Sequence, residues 1–277
     1  MENILISIFY GIVQGLTEFI PVSSSGHLSI LQNIIGLEDF GDKILFNVLL
    51  HLGTLTAIVV LYRKEIVGLI FGFFSLIGRL FSRNIKYKTL SSNEKFVVLI
   101  MIATCPLIVA AFLDKRIEAL AASTKLIGFL LIVNALILFL SDKIINGRKT
   151  EKNASPKNAL LVGLAQMIAI LPGISRSGST ITSGLLNGFS RSFAVKFSFI
   201  MAIPAILGAN IFKVADFIKG EEQITSAMIA SGIAGFVAAF ISGLFAMLLL
   251  VVIARKRNFY IFSIYCVVIG TVALIWG

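Results

Sequence analysis

One acid and one base stand apart from the rest of this chain. Of 14 acidic residues only Glu18 falls inside a hydrophobic segment, and of 24 basic residues only Arg176 clearly does. Glu18 runs into the turn Pro21-Val-Ser-Ser-Ser-Gly-His27, and Arg176 lies within Pro172-Gly-Ile-Ser-Arg-Ser-Gly-Ser-Thr180. A serine-rich turn that opens a half-helix aims hydroxyls, free N–H groups and the positive end of the helix dipole at one point, and those features bind phosphate. Arg176 adds a planar fork of donors matched to phosphate oxygens, while Gly26, Gly173 and Gly178 let backbone come close. Gln14 and Glu18 are four residues apart and share one helical face. Their oxygens suit a hard divalent cation whose shell a phosphate would complete, so a metal is implied jointly with substrate. Glu18 equally suits a general base, and His27 an acid, a base or a phosphate ligand. His51 has no motif around it and reads as a packing residue.

The elements that must position these groups are membrane helices. The chain has 277 residues, 57% hydrophobic and only 14% charged, with a mean hydropathy of +0.97. A soluble domain carries about 25% charged residues, so the solvent for this apolar excess is lipid. The net charge of +10 does not point to nucleic acid, because no aromatic-basic module accompanies it. It matches the Lys/Arg excess of cytoplasmic loops. Cys105 and Cys266 each lie in apolar runs and read as small buried hydrophobes. The first eight residues hold Glu2 and no Lys or Arg, so no cleavable signal is expected.

Six apolar runs predict membrane spans at 45–62, 95–113, 124–141, 195–212, 225–253 and 259–276. Residues 4–35 and 158–190 instead each predict two short helices broken by the Pro/Gly/Ser clusters above, which suits re-entrant hairpins whose freed backbone faces protein or a wet cavity. Segment 66–81, with three glycines and Arg79, predicts an interfacial helix. Placing 63–94, 142–157, 191–196 and 255–257 in the cytoplasm collects 16 Lys/Arg there, against six on the other side. That asymmetry favours six crossings with both termini outside.

The broken hairpins repeat one another. At an offset of 152, Gly11 and Gln14 match Gly163 and Gln166, and Ser23, Ser25 and Gly26 match Ser175, Ser177 and Gly178. The expected organisation is one membrane domain with repeats 1–141 and 158–277, joined by a polar cytoplasmic linker, 142–157. Three crossings per half invert the second copy, so the two breaks mark a binding site where the copies meet. A charge at a helix centre costs about 2.5–3.5 kcal/mol, so Glu18 and Arg176 need a polar cavity and partners there. A Glu18–Arg176 pair that merely fixes packing would not need Ser/Gly breaks beside both residues.

Both motifs resemble the two signatures of the bacterial undecaprenyl-diphosphatase family, also called the bacitracin-resistance family. Gln14 to Glu18 is similar to its (Glu/Gln)-x-x-x-Glu element, which leads into Pro-Val-Ser-Ser-x-Gly-His, and the stretch from Pro172 is similar to its Pro-Gly-x-Ser-Arg-Ser-x-x-Thr element. The resemblance implies an integral membrane enzyme that hydrolyses undecaprenyl diphosphate to the monophosphate and phosphate, supported by Mg²⁺ or Ca²⁺, with its pocket opening to the outer face. It implies that Glu18 is the motif acid, Ser24 the nucleophile, His27 the motif histidine and Arg176 the phosphate-binding arginine. Ser23, Ser25, Ser175, Ser177 and Thr180 match the hydroxyl cluster. Gln14 in place of Glu removes one negative charge and weakens metal ligation there. Two mechanisms stay open: attack by Ser24, deprotonated by Glu18 or His27, and attack by water activated by Glu18.

A polyprenyl-phosphate transporter or flippase is the competing class, because inverted repeats with broken helices are transporter architecture. An ion channel fits less well, since no repeated carbonyl filter is present. Small residues along 225–253, including Gly232, Gly235 and Gly243, permit close helix contact within a protomer or in a homo-oligomer.

Overall fold

The computed structural model describes residues 2–35, 44–81, 87–112, 114–144, 147–219 and 225–277. Among them the chain is helical, apart from an isolated parallel bridge between Lys149 and Phe189. The helices are α1 (Glu2–Phe19), α2 (Ser24–Ile35), α3 (Ile44–Leu61), α4 (Arg63–Phe81), α5 (Ser92–Thr104), α6 (Pro106–Ala111), α7 (Asp114–Ala121), α8 (Thr124–Lys143), α9 (Pro156–Ile168), α10 (Arg176–Leu186), α11 (Arg191–Lys219), α12 (Ser226–Arg255) and α13 (Tyr260–Trp276).

Five stretches are long and apolar enough to cross a membrane: Ile44–Leu61, Ser92–Ala111, Thr124–Lys143, Arg191–Ala215 and Met228–Arg255. The sixth expected span, α13, is a 17-residue apolar helix. The protein is an all-α, polytopic membrane protein. Loops at 36–43, 82–86 and 220–224, which the charge count uses, lie outside the described residues.

Cys266 is buried as expected, but Cys105 is exposed. Two further details differ from expectation. The run 95–113 is not one helix: it starts at Ser92 and divides at Cys105, because Pro106 has no N–H to continue the ladder. Glu94, counted with a cytoplasmic loop, is buried at 1% exposure inside the start of α5. There it accepts from the Ser91 backbone N–H at 2.7 Å in a capping box and from Ser75 and Arg79 of α4, each at 2.7 Å. That carboxylate pins α4, whose Phe71, Phe74 and Phe81 are otherwise exposed, as suits a helix lying along lipid.

Glycine lets the long helices meet backbone to backbone. A Cβ on Gly11 or Gly15 of α1 would collide with the Gly235 or Ala239 carbonyl of α12, and Gly128 of α8 faces the Gly270 carbonyl of α13 in the same way. Gly232, Gly235 and Gly243 pack against Leu49, Leu50 and Phe19 of the same chain. The small-residue stripe is therefore used within the protomer. Phe19, at the end of α1, meets Phe199 of α11 edge-on at 5.4 Å, anchoring the first broken hairpin in the main aromatic core. α8 packs against both α2 and α10, and so touches both breaks.

Candidate active site

The helix breaks fall where the motifs lie, and they are capped alike. Ser23 Oγ accepts from the Gly26 N–H at 3.3 Å at the start of α2, and Ser175 Oγ accepts from the Gly178 N–H at 3.1 Å at the start of α10. Each serine thus satisfies an N–H of the first helical turn, as an N-cap does. Ser24 and Arg176 consequently occupy the same position, the first residue of each half-helix, with a positive dipole end beneath them.

The two turns interlock. Ser23 Oγ also accepts from the Gly173 N–H at 3.1 Å, and a Cβ on Gly26 would press on Gly173 backbone at 3.1 Å. Ser23 has φ of 73°, a left-handed conformation costly for a residue with a Cβ. It is held there because its carbonyl accepts from the His27 backbone N–H at 3.2 Å and from His27 Nδ1 at 2.8 Å. Asn134, in the middle of α8 and fully buried, completes the clamp. Its Nδ2 donates to the Pro21 carbonyl at 2.9 Å, and its Oδ1 accepts from the Ser175 N–H at 3.0 Å.

Glu18 is the hub of the polar cluster between the turns. Its Oε1 accepts from Arg176 Nη2 at 2.8 Å, and its Oε2 accepts from Ser24 Oγ at 2.7 Å and from Gln14 Nε2 at 3.1 Å. The Glu18 side chain is 8% exposed and that of Arg176 17%. A serine hydroxyl donating to a carboxylate at this distance has the geometry of a nucleophile beside its base. His27 is elsewhere engaged: its nitrogens lie 2.8 Å from the Ser23 carbonyl and 2.8 Å from the Tyr265 hydroxyl.

The other hydroxyls surround this hub unevenly. Ser25 is exposed, and its Oγ lies 3.5 Å from that of Ser23. Ser175 and Ser177 share a hydrogen bond at 3.1 Å. Thr180 Oγ1 is 2.8 Å from the Arg176 carbonyl and 2.7 Å from Ser198 Oγ, facing α11.

Two buried polar atoms at the hub lack a protein partner among the described residues: Arg176 Nη1 and Gln14 Oε1. A buried donor and a buried acceptor left unpaired are costly. A phosphate oxygen would satisfy the first, and a hard cation the second. Gln14 and Glu18 would offer a divalent cation at most two side chains on one helix face, and Gln14 turns its Nε2 rather than its Oε1 towards Glu18. No cluster of three or more His, Cys, Asp or Glu side chains accompanies them among the described residues. Any such ion would take the rest of its shell from outside these two side chains.

Comparison with known proteins agrees with the motifs. Residues 7–272 match the family model described as bacitracin resistance protein BacA. The chain belongs to the BacA family. A relative from Alkaliphilus metalliredigens is 39% identical over 275 residues, covering 98% of each chain. One from Methanobrevibacter smithii is 40% identical over 98% of this chain and 96% of its own. One from Acinetobacter baumannii is 38% identical over 99% and 97%. All three are named undecaprenyl-diphosphatase.

Sequence reasoning within this BacA-family chain missed Asn134 and Tyr265. His51 Nδ1 donates to the Asn47 carbonyl of its own helix at 2.8 Å, as suits a packing residue. Asn134 left one signal, an amide in the middle of an apolar span, where polar residues are expensive. Asn134→Leu strands a buried carbonyl and a buried N–H, each worth about 1–3 kcal/mol. It is expected to destabilise the protein by about 2–4 kcal/mol and to lower turnover as the turns separate. Thermal unfolding in detergent, run beside a phosphate-release assay, checks this; unchanged values in both would refute the clamp.

Proposed function

We propose that the protein hydrolyses undecaprenyl diphosphate to undecaprenyl phosphate and inorganic phosphate, recycling the lipid carrier for cell-wall polymers. The reading places it in the bacterial cell membrane with the site opening to the outer face. It takes residues 1–141 and 158–277 as inverted copies, with six crossings and two re-entrant hairpins. The matched caps of α2 and α10 support the repeat, and the names of the relatives support the substrate. One observation carries the chemistry: the Glu18 carboxylate holds the Ser24 hydroxyl on one oxygen and the Arg176 guanidinium on the other.

The diphosphate enters between the two turns while the prenyl chain stays in lipid. Arg176, the half-helix N-termini and the nearby hydroxyls bind the terminal phosphoryl group and stabilise charge developing on it. Ser24 Oγ attacks the terminal phosphorus as its proton passes to Glu18 Oε2. The bond to the bridging oxygen breaks, and the electron pair leaves with undecaprenyl phosphate. Water then cleaves the phosphoserine, releasing phosphate, and Ser24 recovers its proton from Glu18. A Mg²⁺ or Ca²⁺ ion shared between Gln14, Glu18 and the diphosphate would supply further charge neutralisation. The transporter reading gains nothing comparable, because carriage needs no hydroxyl poised on a carboxylate.

Purified protein in detergent, where no second compartment exists, is expected to release phosphate from undecaprenyl diphosphate and to stop when EDTA is added. Ser24→Ala is expected to cost about 10³-fold or more in kcat, and brief quenching of the native enzyme should trap phosphoserine at Ser24. Binding without phosphate release would overturn the hydrolase reading. Substantial turnover in Ser24→Ala would move the attack to water.

A further inference from the structure

His27 is fixed on both sides, and only one side belongs to the motifs. The Ser23 carbonyl can only accept, so Nδ1 carries the hydrogen across their 2.8 Å contact. In the neutral ring the lone pair is then on Nε2, and the group 2.8 Å from it, the Tyr265 hydroxyl, must donate. The two rings also lie parallel, 7° apart in plane, with centroids 5.5 Å apart. Tyr265 comes from α13, 238 residues away in sequence. Its neighbours Ile261, Ile264 and Val268 are exposed apolar residues. In that apolar company the His27 contact satisfies the hydroxyl.

His27 is buried near the start of the half-helix that carries Ser24, whereas Tyr265 is 41% exposed among apolar neighbours on α13. With both ring nitrogens engaged, the imidazole has one tautomer and one orientation.

We propose that Tyr265 is a positioning residue of the active site, holding His27 in the Nδ1-protonated tautomer and in one orientation by donating to Nε2. This rests on the hydrolase reading above, with His27 taking part in the reaction beside Ser24. Without the tyrosine hydroxyl, only the Ser23 contact would hold the ring.

The test is a double-mutant cycle on phosphate release, using the full-length protein in detergent. Tyr265→Phe keeps the ring stacked and removes only the hydroxyl. Its expected effect is a fall in kcat of about tenfold, as the loss of one orienting hydrogen bond would give, with KM within about twofold. His27→Gln should fall further, and the double variant should be no slower than His27→Gln alone. Wild-type kcat in Tyr265→Phe, with His27→Gln impaired, overturns the proposal and leaves the hydrolase reading standing. So does an undiminished tenfold loss in the His27→Gln background, which would make the two residues independent. Loss of thermal stability in Tyr265→Phe in proportion to its activity, without coupling to His27, would assign the tyrosine to packing. Full turnover in His27→Gln itself would remove the role of His27 on which the proposal stands, and no phosphate release by the native protein would remove the hydrolase reading.

Discussion

Glu18→Gln is expected to lower kcat by about 10³-fold or more while the protein still folds. The amide has nearly the shape of the carboxylate, so the packing of α1 against α12 is undisturbed. What changes is electronic. The Ser24 hydroxyl, 2.7 Å from Oε2, loses the base that would take its proton. Arg176 loses the anion that holds its Nη2 at 2.8 Å, and with it the orientation that leaves Nη1 unpaired for phosphate. Glu18→Asp should fare better, since it keeps the charge but draws it back by one methylene. Comparing kcat for the two variants, with binding of substrate followed separately, distinguishes loss of a base from loss of affinity. Turnover of Glu18→Gln within about tenfold of the native enzyme would leave Ser24 without an activating group and send the mechanism back to its start.

The parts of this site that were legible in the sequence are those whose cost is local. A lone Glu18 and a lone Arg176 in apolar sequence announce a cavity, because hydrocarbon makes an unpaired charge prohibitive. Serine and glycine turns beside them announce half-helices, because no continuous membrane helix tolerates such clusters without compensation. The repeat added that the two breaks meet, and the 2.8 Å contact of Glu18 with Arg176 spans 158 residues of sequence. What stayed hidden was set by packing between distant helices. Asn134 and Tyr265 look like single polar atoms in apolar runs, and only the fold puts one between the turns and the other on His27. Glu94 was hidden for another reason: its partners Ser75 and Arg79 lie on an amphipathic helix whose docking cannot be read from periodicity. Ser23 shows the limit on assigning roles by motif. Its hydroxyl accepts from two backbone N–H groups that knit the turns together, which a phosphate-binding label does not convey.

Arg176 gives the sharpest separation of chemistry from architecture, because a buried ion pair invites the objection that it only holds helices together. Arg176→Ala should cost about 3–5 kcal/mol of stability, since it leaves Glu18 an uncompensated charge at 8% exposure. Its turnover should fall by about 10³-fold or more. Arg176→Lys keeps the charge as a point and loses the planar fork. Its three donors radiate from one point and cannot reach the Glu18 carboxylate and a phosphate oxygen as two separate guanidinium nitrogens do, so the expected loss is about 10²-fold, with little change in thermal unfolding. The decisive variant replaces both partners, as Glu18→Gln with Arg176→Gln. No buried charge is stranded there, and the amides can hydrogen-bond to each other, so thermal stability should recover most of what Arg176→Ala loses. If the pair were structural glue, turnover would recover along with the fold. If its members are the base and the phosphate clamp, the double variant should be stable and at least as inactive as either single one. Near-native phosphate release from that double variant would show that the site does its chemistry with other groups.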